Sequence, residues 1–114
     1  MQYILQIYGT TARSQFDQLP EEEQKAVLGE YMALSQAPGV TGGAQLQDPG
    51  TATTVRVEDG ETLITDGPFV ETKEVLGGYY LFEADDLDAA IELAARIPAA
   101  RMGGAIEVRP LVER

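Results

Sequence analysis

Two stretches of helical period, each set between runs that alternate like strands, limit this chain more than any other feature. Leu19, Val27, Leu28, Tyr31, Met32 and Leu34 fall mainly on one helix face, and so do Leu87, Ala90, Ile91, Ala94 and Ile97. Residues 3–8 precede the first stripe as a strand rich in Tyr and Ile. Between the stripes lie a short strand at 42–46, a β-branched strand at 53–58, its return at 61–66, and a strand at 79–83. A last strand alternates over 105–111. This order predicts a ferredoxin-like βαββαβ fold of the α+β class. One antiparallel sheet carries both helices on one face, with an extra hairpin in the middle.

Local signals fix the ends of these elements. Pro20 suits the first helical position, and Glu21, Glu22 and Glu23 suit the positive end of the helix dipole. Ala37-Pro38-Gly39 ends that helix. Asp85-Asp86-Leu87-Asp88 offers N-caps and first-turn acids to the second helix, which is expected to stop at Pro98. Asp59-Gly60 is a two-residue hairpin turn. It sets Glu58 opposite Glu61, Val55 opposite Ile64 and Thr53 opposite Asp66. Facing residues share a side of the pleat, so Asp66 joins Val55, Val57 and Ile64 on the more apolar side and is expected to point inward. A carboxylate there must be hydrogen-bonded, paired or protonated. Gly67 and Phe69 can offer backbone N–H groups and Pro68 cannot.

The strands are apolar on both sides. Tyr3, Leu5 and Ile7 oppose Ile4 and Tyr8, and Tyr79 and Leu81 oppose Tyr80, Phe82 and Ala84. An antiparallel sheet with one wet face should alternate more cleanly. The open face is therefore expected to pack on a second copy as an isologous homodimer.

Composition narrows the chemistry. The 114 residues suit a single domain over 1–114. With no cysteine, disulfides and thiolate nucleophiles are excluded. With no histidine, the usual neutral-pH acid/base group is missing. No metal site and no cofactor are expected. A net charge of −11 opposes direct binding of nucleic acid and of anionic membranes. The start of the chain has neither a basic leader nor a long apolar run, which makes a cytoplasmic location the expectation.

Functional groups crowd into Asp66-Gly67-Pro68-Phe69-Val70-Glu71-Thr72-Lys73-Glu74, between two strands, where a rigid sheet can hold a site. Asp-Gly-Pro is also ordinary turn chemistry, and Glu71, Lys73 and Glu74 also suit a solvated surface. Arg56 and Arg109 point away from Val55, Val57 and Val108. They suit either pairing with carboxylates such as Glu58 or Glu107, or anchoring an anion. Tyr8 and Tyr79 read as packing residues with a hydroxyl at a rim.

These segments resemble a known family. Thr53-Thr54-Val55-Arg56, the run from Asp66 to Glu74, and Gly77-Gly78-Tyr79-Tyr80 are similar to the signature of the DGPF-domain, YCII-related family. Leu87-Asp88-Ala89-Ala90 with Pro98, and Glu107-Val108-Arg109-Pro110, resemble its second helix and last strand. The resemblance implies the dimeric α/β-barrel superfamily, in which sheets pack face to face. It also implies an association with sigma-factor systems. Some relatives are proposed to be enzymes with a His–Asp pair. This chain has no histidine, so only Asp66 is left to correspond to the acid. The leading expectation is a small-molecule ligand in a cleft near residues 66–74. Asp66 would act as acid or base, with Arg56, Gly67, Phe69, Glu71, Lys73, Glu74, Tyr8 and Arg109 around it. The alternatives are a non-catalytic regulatory module serving a sigma-factor system, and a purely structural loop clamp.

Overall fold

The computed structural model describes residues 1–9, 15–69 and 74–113. Strand β1 is Gln2–Tyr8 and helix α1 is Glu21–Ser35; β2 is Val40–Gln45. Strands β3 (Thr53–Glu58) and β4 (Glu61–Asp66) form the hairpin. Strand β5 (Leu76–Glu83), helices α2 (Leu87–Ala95) and α3 (Pro98–Arg101), and β6 (Ala105–Pro110) complete the order. Four strands make one sheet in the order β2-β5-β1-β6, antiparallel at every pairing. That is the ferredoxin-like order, with β3 and β4 forming a separate two-stranded sheet.

The core lies on one face of the four-stranded sheet. Leu5 sits opposite Tyr80 on β5 and Val108 on β6, and Tyr3 opposite Phe82. Leu34 of α1 and Ala90, Leu93 and Ala94 of α2 close over these side chains, with Ile97 and Ala99 beside them. Small residues on α2 let that helix approach closely, and Leu5 and Ile97 are wholly buried. The opposite face carries Ile4 facing Leu81 and Gln6 facing Tyr79. Ile4, Tyr79 and Leu81 are half-buried, and the described residues supply no second layer over them.

Two helix boundaries differ from expectation. Pro20 is the residue before the helix (φ −57°, ψ 152°) rather than its first member. Its carbonyl accepts from the Gln24 N–H at 2.9 Å. Pro98 does not simply end the helical region. It starts α3, because its fixed φ and missing donor suit the first turn of a new helix. Asp86 caps α2 as expected, its carboxylate accepting from the Ala89 N–H at 2.9 Å.

The hairpin register agrees with the sequence at every pair, from Glu58 opposite Glu61 to Thr53 opposite Asp66. Asp59 and Gly60 take φ values of +51° and +80°, the left-handed pair that a type I′ turn requires. The expected inward direction is wrong. Every residue of β4 is exposed, Asp66 included, and Val55, Val57 and Ile64 are 59–67% exposed. The pleat sorts residues onto two sides, but a side is interior only when another layer covers it. The hairpin stands away from the sheet, so its apolar side faces outward.

Candidate functional site

A cleft of about 730 Å³ lies between α1 and strands β2, β5 and β1. Its wall on α1 is Val27, Leu28, Tyr31 and Ser35, and its floor includes Gly43 and Gly78 with Ile7 and Tyr80. The sequence makes this space directly. The stripe of α1 presents bulky side chains, while beneath it Gly43 and Gly78 present only hydrogen atoms beside Ile7 and Tyr80. Helix and sheet therefore do not fill the gap between them, and Leu28 remains 51% exposed although it belongs to the apolar stripe. Two floor glycines are required by strand approach as well. A Cβ on Gly43 would lie 2.6 Å from the Tyr79 carbonyl oxygen, and one on Gly78 would lie 2.8 Å from that of Ala44.

The polar groups of the cleft are few. Tyr31 and Tyr80 stand in its wall, and the Tyr80 hydroxyl donates to the Tyr31 carbonyl at 2.9 Å. Burial pushes the Tyr31 phenol above its ordinary value of 10.0, partly offset by a hydrogen bond at Ala99 and by the Arg101 charge. Burial likewise raises Tyr80, with a smaller push from Tyr31. Asp17 and Asp48 contribute carboxylates to the lining, and no described lining residue is basic. Val75 and Leu76 also line the cleft, and the Gly9 N–H donates to the Val75 carbonyl at 3.1 Å.

The residues singled out in the sequence disperse over the structure. Tyr8 ends β1 half-buried and lines both this cleft and a second hollow of about 380 Å³ shared with Glu74, Ala105, Ile106 and Glu107. Asp66 lines neither hollow and is exposed at the hairpin root, so the burial expected to make it an acid or base is absent. Gly67 is a clamp. At φ +97° its N–H donates to the Ala52 carbonyl at 2.7 Å, and its own carbonyl accepts from the Thr54 hydroxyl at 2.8 Å. Arg56 does not pair with Glu58. Its guanidinium lies 4.5 Å from the centre of the Phe69 ring, a cation–π contact at the surface. Arg109 does pair with Glu107, at 2.6 Å, on the open side of the sheet. Glu71 and Lys73 lie outside the described residues. No group of three Asp or Glu among the described residues is placed to hold a metal ion.

Sequence reading missed the cleft because its signal is a lack of side chains. Gly42-Gly43 and Gly77-Gly78 fit no phosphate-binding pattern, yet with the bulky stripe of α1 above Gly43 and Gly78 they mark a void. Thr54 was also missed as the partner of Gly67.

An antiparallel ferredoxin-like sheet with helices on one face and an apolar cleft under the first helix places the protein in the α+β class. The chain belongs to the YCII-related domain family, whose pattern matches residues 1–114. It is 38% identical over 96 residues to an uncharacterised protein of Rhizobium meliloti (strain 1021), covering 80% of this chain and 77% of that one. Its fold is similar to that of the 5-chloro-2-hydroxyhydroquinone dehydrochlorinase of Burkholderia phenoliruptrix, solved in complex with 2,5-dihydroxybenzoquinone. That likeness has a TM-score of 0.52 at 14% identity and covers 100% of this chain and 96% of the other. No helix among the described residues is long and apolar enough to cross a membrane.

Proposed function

We propose that this protein binds a small, flat, neutral organic molecule in the cleft between α1 and the sheet. The observation that carries the reading is the cleft itself. Its volume of about 730 Å³ lies within the ~300–1,000 Å³ of ligand sites, and its walls are apolar with a few convergent polar groups. Tyr31 and Tyr80 offer ring faces and edges to a planar body, and Asp17 and Asp48 offer acceptors to its hydroxyl groups. Two carboxylates, no described basic lining residue and a net charge of −11 all disfavour an anion. The fold neighbour supports a planar six-membered ring as the ligand body, since it was solved with a dihydroxybenzoquinone, although that molecule is acidic and its charge does not carry over to this cleft.

The test is binding of hydroquinone and of its carboxylate analogue 2,5-dihydroxybenzoate, followed by amide shifts in NMR. Hydroquinone should shift the amides of Gly43, Gly77 and Gly78, and the anion should bind at least about tenfold more weakly. Leu28→Trp should fill the cleft and abolish the hydroquinone shifts without loss of helix content. Absence of any shift at millimolar hydroquinone, or equal binding by the Leu28→Trp variant, rejects the reading.

The same proposal includes a homodimer through the open sheet face. Ile4, Tyr79 and Leu81 support it, because no layer of the described chain lies over them. The alternative function, a non-catalytic module of a sigma-factor system, predicts retention of a protein partner with no small molecule bound.

A further inference from the structure

The shape of the chain is wrong for a molecule that works alone. Its radius of gyration is 16.0 Å, where a compact chain of this length has about 13 Å. Its accessible surface is 8017 Å², where a monomer of 12.3 kDa exposes roughly 6,100 Å². The surplus, roughly 1,900 Å², exceeds the ~800 Å² that each partner buries in a stable complex of standard size.

Much of that surplus is visible in the β3–β4 hairpin. Among the described residues its two strands join no sheet but their own, and no other element packs substantially against them. Val55, Val57 and Ile64 form an apolar stripe on one side, at 59%, 67% and 67% exposure. An isolated two-stranded hairpin is marginal in water, and an uncovered apolar strand is an aggregation hazard. Nevertheless the turn, the register and the root are all specified. Asp59-Gly60 adopts the turn, every residue pair is in phase, and Gly67 is tied to Ala52 and Thr54. A hairpin so fixed in shape and so bare on one side is built to be covered.

We infer that the hairpin is an intersubunit arm, which lays its Val55–Val57–Ile64 stripe on a second copy of this chain. This extends the dimer reading given above and rests on it. The surplus area selects the occupant, because it is what a pair of these chains must bury to reach the surface of compact proteins. The acidic tip, Glu58, Asp59 and Glu61, stays in water, since Glu58 already faces Glu61 and gains nothing from burial.

The test is sedimentation of the full chain and of the double variant Val57→Glu/Ile64→Glu at micromolar concentration. A dimeric wild type and a variant whose dimer is weakened at least about a hundredfold, with an unchanged circular dichroism spectrum, would support the arm. A variant as dimeric as the wild type would overturn the arm and leave the sheet-face dimer standing. A monomeric wild type would overturn both. If the variant fails to fold, the unmodified chain is read by a soluble paramagnetic probe in NMR. Methyl groups of Val55, Val57 and Ile64 shielded from the probe support the arm; fully accessible ones overturn it, whether or not another protein binds there.

Discussion

Tyr31 and Tyr80 carry the clearest electrostatic signature of the cleft. In both, burial favours the neutral phenol, so the folded value stands above the unfolded one near 10.0. The sign follows from proton counting. Just above pH 10 the unfolded chain has released protons that the folded chain still holds, so stability falls as pH rises through that window. Below it the contribution is complete. Phenolate absorbance should therefore show Tyr31 and Tyr80 titrating later than a free tyrosine, and Tyr80→Phe should remove one of these late steps. A Tyr80→Phe difference spectrum that titrates at the free-tyrosine value would contradict this. Gly43 gives a second prediction. Gly43→Ala forces a methyl against the Tyr79 carbonyl and should cost about 1–3 kcal/mol, read as a lower melting temperature. Gly67→Ala meets no obstructing atom, yet its positive φ should cost about 1–2 kcal/mol at the hairpin root.

At the scale of elements, the sequence disclosed connectivity better than orientation. Asp59-Gly60 determined the whole hairpin register, because turn chemistry and the pleat are local. Whether Asp66 looks inward is not local. It depends on what lies across from the hairpin, and alternation of Val55, Val57 and Ile64 is the same whether the covering layer comes from this chain or from another. The apolar side was therefore legible and its burial was not. Gly43 and Gly78 show the opposite failure. Periodicity registers side chains that are present, so glycine in a floor is silent until a helix is placed over it. At this scale Gly60→Val, which puts a β-branched residue at φ +80°, should loosen β3 and β4 while leaving the Leu5–Tyr80 core intact. NMR would show loss of the cross-strand contacts between Val55 and Ile64 with unchanged shifts for Leu5. Loss of both together would mean that the hairpin is part of the main folding unit.

For the whole molecule, the ferredoxin-like order and the shared helix face followed from the alternation of periods, and the apolar residues on both sides of β1 and β5 pointed to a sheet face in need of cover. The described chain is a two-layer body 19 Å in its thinnest dimension, with a cleft at one edge and a hairpin projecting from the link between β2 and β5. That placement has a consequence for dynamics. The link joins neighbouring strands, so the hairpin can open and close without breaking any hydrogen bond of the four-stranded sheet. Amide protons of Val55 and Ile64 should then exchange with solvent by local opening, while those of Leu5 and Tyr80 wait for global unfolding. If a second chain holds the hairpin shut, the exchange of Val55 and Ile64 will slow as protein concentration is raised, and so will that of Leu5 and Tyr80, because association also stabilises the fold; without such a chain the hairpin pair will exchange at a rate independent of concentration.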